Sequence, residues 1–139
     1  MSSESVLIVL FQEEFVERIG DKMACLATVS ATCLNQFALD FQGNYQRIVE
    51  SIKICKEQGS RFRCGPELDI PGYNCEDHFY EQDTLNHSWE VLAELLVNEH
   101  CQDILVNVGM PVMHNGVTYN CCVSFLNKYV FQCEKYLSL

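Results

Sequence analysis

DILVNVGMPVMHNGVTYNCCVSFL, residues 103–126, decides the fold. Asn115-Gly116 lies between two extended apolar runs, and both residues tolerate the positive φ of a tight type I′ turn, so the stretch reads as a β-hairpin. The run DILVNVGM in front of the turn is a strand. Further back, LATVSATCL (26–34) mixes small and β-branched residues and reads as a strand buried on both faces. NQFALDFQGN is a connection. Asn44 caps a helix whose apolar positions Tyr45, Ile48, Val49, Ile52 and Cys55 recur at helical spacing, and Gly59 ends it. Residues 61–64 form a second strand. Asp83 or Thr84 caps a second helix with Leu85, Trp89, Leu92, Leu95 and Leu96 on one face. A last run, 129–133, can pair with the hairpin. The order β-α-β-α-β followed by a hairpin predicts an α/β fold with a mixed β-sheet.

The 139 residues suffice for one domain with a real core, and 48% apolar with 20% charged residues is an ordinary globular composition. A net charge of −10, with the nine basic residues scattered, argues against a nucleic-acid partner. The apolar run at 6–11 is too short for a membrane span or a secretory h-region, and no basic n-region precedes it. Nine cysteines, an odd number without a secretory signal, point to reduced thiols in a cytoplasmic or nuclear setting. Residues 1–22 read as an appended amphipathic segment. Val6, Leu7, Leu10, Phe11, Phe15 and Ile19 fit one helix face, and Gly20-Asp21 breaks the pattern.

RFRCGPELDIPGYNCEDHFYE, residues 61–81, carries the chemistry. Gly65 permits a close backbone approach, and Pro66 removes a ladder donor, so strand pairing ends there. Glu67 is then presented at the carboxyl end of a strand, where open α/β sheets build ligand sites, and Pro71-Gly72 turns the chain away. Two readings stay open from the residues: a solvated glutamate at a strand end, or a general base in a cleft. Asp69, Glu76, Asp77 and Glu81 read as a solvated acidic rim. Cys75 and His78, with Cys64 or the Cys121-Cys122 pair, are metal-ligand types. Zinc sites usually show two close-spaced ligand pairs, so no metal is expected.

The strand followed by Pro-Glu, an apolar residue and Gly-Tyr resembles the nitrilase (carbon–nitrogen hydrolase) superfamily. The strings ATCLNQFALDFQGN, GPELDIPGYNCEDHFYE, DTLNHSWEVLAELL and VGMPVMHNGVTYNC, in that order, are similar to the amino-terminal glutaminase domain of eukaryotic glutamine-dependent NAD synthetases. The likeness runs from about Cys25 to Asn127. It divides the chain into the appended segment 1–22, the amino-terminal part of the hydrolase domain at 23–127, and a divergent tail at 128–139. The resemblance implies part of an αββα sandwich. It also implies a cysteine, a glutamate and a lysine that together release ammonia from glutamine for amidation of deamido-NAD in NAD biosynthesis. ATP and Mg would act in a further synthetase domain.

The resemblance places Glu67 on the family's glutamate, the general base. The family's lysine position falls on Tyr136, while Lys135 lies one residue early and substitutes only if a β-bulge restores its direction. The family's nucleophilic cysteine lies beyond the lysine, and none of Cys25, Cys33, Cys55, Cys64, Cys75, Cys101, Cys121, Cys122 or Cys133 matches it. Most of these cysteines read as small buried apolar residues. The isolated chain is therefore expected to be inactive and, with apolar sheet surface left wet, poorly soluble or oligomeric. The alternative is a non-catalytic interaction protein that pairs with a full-length synthetase or with itself.

Overall fold

The computed structural model describes residues 7–13 and 27–139. Its strands are β1 (Leu7–Glu13), β2 (Ala27–Cys33), β3 (Ser60–Cys64), β4 (Leu105–His114), β5 (Val117–Leu126) and β6 (Tyr129–Ser138). Its helices are α1 (Phe41–Glu57) and α2 (Gln82–Val97). Among the described residues the strands form one sheet whose spatial order follows the chain. β2, β3 and β4 run parallel, and the β1–β2, β4–β5 and β5–β6 pairs are antiparallel.

Each parallel step needs a crossover, and each crossover carries a helix. Two right-handed crossovers advancing in one direction put both helices on the same face of the sheet. The core shows this. Ile48, Ile52 and Cys55 of α1 and Leu92 and Leu95 of α2 meet Val106, Val108 and Met110 of β4 and Val123 and Phe125 of β5 in one buried cluster. On the opposite face Phe62, Leu105, Cys122, Leu126 and Phe131 line a shallow hollow of about 550 Å³. One helical layer on one mixed sheet is an α/β arrangement, half of an αββα sandwich.

The Asn-Gly hairpin is present. Asn115 and Gly116 have φ of 51° and 76°, and His114 pairs with Val117 across them. Asn127 and Lys128, at φ 47° and 74°, make a second two-residue turn from β5 into β6. β6 reaches Ser138, five residues beyond the run that the sequence suggested.

Three expectations need correction. Leu7–Glu13 is a strand paired with β2, not part of a helix. An uninterrupted apolar run fits a strand as readily as a helix face, and the open edge of β2 supplies a partner. The rest of the 1–22 segment lies outside the described residues. α1 starts at Phe41, capped by Asp40, whose Oδ1 accepts from the Gly43 amide at 3.2 Å. Asn44 is instead buried, donating to the Phe37 and Ile70 carbonyls at 2.8 and 2.9 Å. α2 begins at Gln82 with no side-chain cap, and Trp89 is 46% exposed, off the buried stripe of Leu85, Ser88, Leu92 and Leu95.

Candidate active site

β3 ends at Cys64, and the chain after it lies along β4. The Gly65 amide donates to the Asn107 carbonyl at 3.1 Å, and the Ile70 amide to the Gly109 carbonyl at 3.0 Å. Between these two bonds Pro66, Glu67 and Leu68 press against Gly109. A Cβ at 109 would collide with the Leu68 amide nitrogen and fall 2.9 Å from both the Glu67 carbonyl carbon and the Pro66 oxygen. Leu68, buried behind Glu67, is held at φ 50°, a region that a bulky residue enters only under constraint. All of the atoms crowding Gly109 are backbone, so no rotamer change relieves the clash. Gly109→Ala is expected to destabilise the fold by about 1–3 kcal/mol. It should also speed hydrogen exchange at Gly65 and Ile70, as measured by NMR; unchanged exchange at both amides would show that the loop does not rest on Gly109.

The far end of the loop is fixed by a buried ion pair. Arg63 Nη1 donates to Asp69 Oδ2 at 2.5 Å and to the Asn107 carbonyl at 3.0 Å, and Nε donates to Ser51 on α1 at 3.2 Å. Both charged side chains are fully buried. Gln36 Nε2 adds bonds to Asp69 Oδ1 at 3.1 Å and to its carbonyl at 2.7 Å. Burial pushes the Asp69 carboxyl up, and Arg63 and then Gln36 pull it back. Asp69 is therefore not part of a solvated rim. Glu76, Asp77 and Glu81 are exposed, and Glu81 pairs with His78 at 3.1 Å.

Glu67 stands at the mouth of a cavity of about 260 Å³ that Pro66, Asn107, Asn120, Cys122 and Tyr136 also line. Its Oε1 accepts a hydrogen bond from Asn120 Nδ2. Asn120 is 2% exposed, and its Oδ1 has no partner among the described residues. The cavity thus offers an exposed carboxylate, the Asn120 amide that donates to it, and a phenol.

The phenol is Tyr136. β6 carries an extra residue at two places, Phe131 and Tyr136, where the register with β5 shifts. Lys135 pairs with Cys121, and its Nζ lies 4.2 Å from the Tyr119 ring centroid. Neither bulge turns Lys135 into the cavity. A hydrogen bond with the Cys122 thiol, followed by that thiol's charge and burial, pushes the Tyr136 hydroxyl up to about 12. It stays protonated and can donate, but it brings no positive charge.

The family model for carbon-nitrogen hydrolases matches residues 27–131, three quarters of the chain. The chain belongs to the carbon-nitrogen hydrolase family. This hydrolase chain is 59% identical over 103 residues to a glutamine-dependent NAD(+) synthetase of Bos taurus, covering 74% of this chain and 15% of that protein. It is 55% identical over 113 residues to one of Dictyostelium discoideum, covering 78% and 16%. The chain thus spans about one seventh of the length of the curated relatives it matches. Among solved structures, a glutamine-dependent NAD(+) synthetase from Cytophaga hutchinsonii superposes with a TM-score of 0.71 at 31% identity, over 76% of this chain and 18% of that one. An amidase from Nesterenkonia sp. shares the fold at a TM-score of 0.65 and 15% identity, over 77% and 41%.

The cysteines of the hydrolase chain divide by burial. Cys55, Cys75, Cys101, Cys121 and Cys122 are buried, Cys64 is half-buried, and Cys33 and Cys133 are exposed. Burial pushes the Cys101 thiol up to about 11, as expected of a small apolar filler. Cys25 lies outside the described residues. Cys75 and His78 do not converge: the Cys75 thiol faces the Pro71 and Gly72 carbonyls, and His78 faces Glu81. Asn120 escaped the sequence reading. Its signal was the hairpin register, which aligns Asn120 with Pro111 and Gly109 with Cys122, beside the loop that carries Glu67.

Proposed function

We propose that this chain is the amino-terminal part of the glutaminase domain of a glutamine-hydrolysing NAD(+) synthetase, with Glu67 as its general base. The hydrolase portion is 23–127, with 1–22 appended and 128–139 divergent. The observation that carries the reading is the placement of Glu67 at a cavity mouth, hydrogen-bonded by Asn120, within a stretch of 103 residues that is 59% identical to such a synthetase. In that chemistry a thiolate attacks the glutamine side-chain amide carbon. The glutamate takes the thiol proton and returns it to the departing ammonia, and a cation steadies the oxyanion. Tyr136 supplies a hydrogen bond at the cation's position but no charge, and no cysteine of this chain matches the family's nucleophile. The isolated chain therefore holds the base and part of the pocket, releases no ammonia by itself, and works in a cytoplasmic setting.

ATP and Mg belong to the synthetase portion of such an enzyme. Among the described residues no group of three or more His, Cys, Asp or Glu side chains fits a metal, and no step here runs through one. No helix among the described residues is long and apolar enough to cross a membrane. A second reading, pairing with a full-length synthetase or with another copy, draws on the apolar side chains of the open face. Phe131 is 65% exposed.

A segment exchange tests the proposal. Residues 27–131 of this chain, placed in the Bos taurus synthetase in exchange for the matching segment, are expected to support NAD formation from glutamine. A folded chimera that uses ammonia but not glutamine would overturn it.

A further inference from the structure

Glu67 is exposed and has several side-chain torsions, so the backbone bonds that hold its loop on β4 do not by themselves fix its carboxylate. Asn120 belongs to β5, which is paired on both edges, by β4 and by β6. Its Nδ2 donates to Glu67 Oε1, and among the described residues that is the carboxylate's one hydrogen bond. The bond ties a freely rotating side chain to the middle of the sheet. Charge fixes the direction of the amide, because flipped end for end it would set its oxygen against a carboxylate. Stability does not explain the residue. Asn120 is 2% exposed, and its Oδ1 has no partner among the described residues. Burying an amide with one polar atom unsatisfied costs free energy that a leucine of similar shape avoids. A buried amide kept at such a cost, with its donor on a carboxylate, points to a task at that carboxylate.

We propose that Asn120 is the positioning residue for Glu67 in glutamine hydrolysis, holding the carboxylate at the cavity mouth in the orientation that accepts and returns the proton. The inference rests on Glu67 being the general base. Asn120 acts through that carboxylate and needs no contact with glutamine, so it governs turnover and leaves substrate affinity alone.

The test places Asn120→Leu, Glu67→Gln and the double substitution in the Bos taurus synthetase that carries residues 27–131 of this chain. Asn120→Leu is expected to lower kcat with glutamine by about 10–10²-fold, the scale of loss when a reacting group is slightly misplaced. KM for glutamine should stay as it was, and NAD formation from added ammonia should be retained. Added to Glu67→Gln, the same substitution should cost nothing more, because the carboxylate it served is gone. Asn120→Asp, which sets one carboxylate against another, should lose at least as much as Asn120→Leu. In the full chain, Asn120→Leu is expected to hold or raise the urea midpoint of unfolding. An unchanged kcat, a rise in KM in place of the fall in kcat, a further loss on top of Glu67→Gln, or a lowered urea midpoint would each overturn the positioning role and leave Glu67 as the base. Glu67→Gln without effect on turnover of glutamine would overturn both that role and the reading beneath it.

Discussion

Glutamine in place of Glu67, in a synthetase carrying residues 27–131 of this chain, is expected to lower NAD formation from glutamine by about 10²–10⁴-fold, the usual contribution of a positioned general base. Formation from added ammonia should be unchanged, because the ammonia then bypasses the hydrolytic step. The substitution keeps the side-chain shape and removes the carboxylate that accepts from Asn120 Nδ2. Glu67 is exposed at the cavity mouth and takes no part in the buried Arg63–Asp69 pair, so the fold itself is spared. Equal loss with both nitrogen sources would mean that the residue acts on the fold. No loss with either would remove Glu67 from the chemistry. The exchange can also be extended through residue 139, which brings Tyr136 to the cavity. That longer chimera is expected to lose glutamine-dependent turnover, because a neutral phenol replaces a cation. Tyr136→Lys should restore it, and steady-state rates with the two nitrogen sources measure both effects.

Arg63→Met is expected to destabilise the chain by about 3–5 kcal/mol, the usual result of leaving one member of a buried ion pair uncompensated. Asp69 keeps its Gln36 contact but loses the guanidinium 2.5 Å away. Arg63→Met with Asp69→Leu removes both charges, and most of the loss should be recovered, since apolar replacement of a whole buried pair is often neutral. The pH dependence has a definite sign. Burial raises the Asp69 carboxyl, and removing Arg63 takes away the largest opposing influence. An acid raised in the folded chain holds its proton more tightly there than when unfolded. Its contribution to stability is present below the ordinary carboxylate pKa and is lost as pH rises through the raised value. The penalty of Arg63→Met is therefore full at neutral pH and shrinks toward acid. Urea midpoints measured across that range check both points, and a penalty independent of pH would show that Asp69 stays ionised without its partner.

Much of the framework was legible because its signals are local and periodic. Ile48, Ile52 and Cys55 repeat at the helical interval and are all fully buried. Asn115-Gly116 specified its turn because few residue pairs accept two positive φ angles in succession. Gly65 and Pro66 marked the end of a strand that stops at Cys64. What the sequence hid depends on partners brought together by the sheet. Asp69 looked like any acidic loop residue, because its guanidinium partner belongs to a strand and no periodicity joins the two. Asn120 lies 53 residues beyond Glu67 in the chain, and only the pairing of β4 with β5 brings them together. Leu7–Glu13 misled because its first five residues are all apolar, so a helical spacing can be picked out of a run that suits a strand equally well.

The two tight turns at Asn115-Gly116 and Asn127-Lys128 have a consequence for the order in which the sheet assembles. Each brings its flanking strands together across only two residues, so β4, β5 and β6 can zip up at small entropic cost as neighbours along the chain. β2, β3 and β4 meet only after long excursions through α1 and α2, whose apolar stripes need a surface to settle on. The carboxyl-terminal meander is that surface, so the amino-terminal strands join a template that already exists.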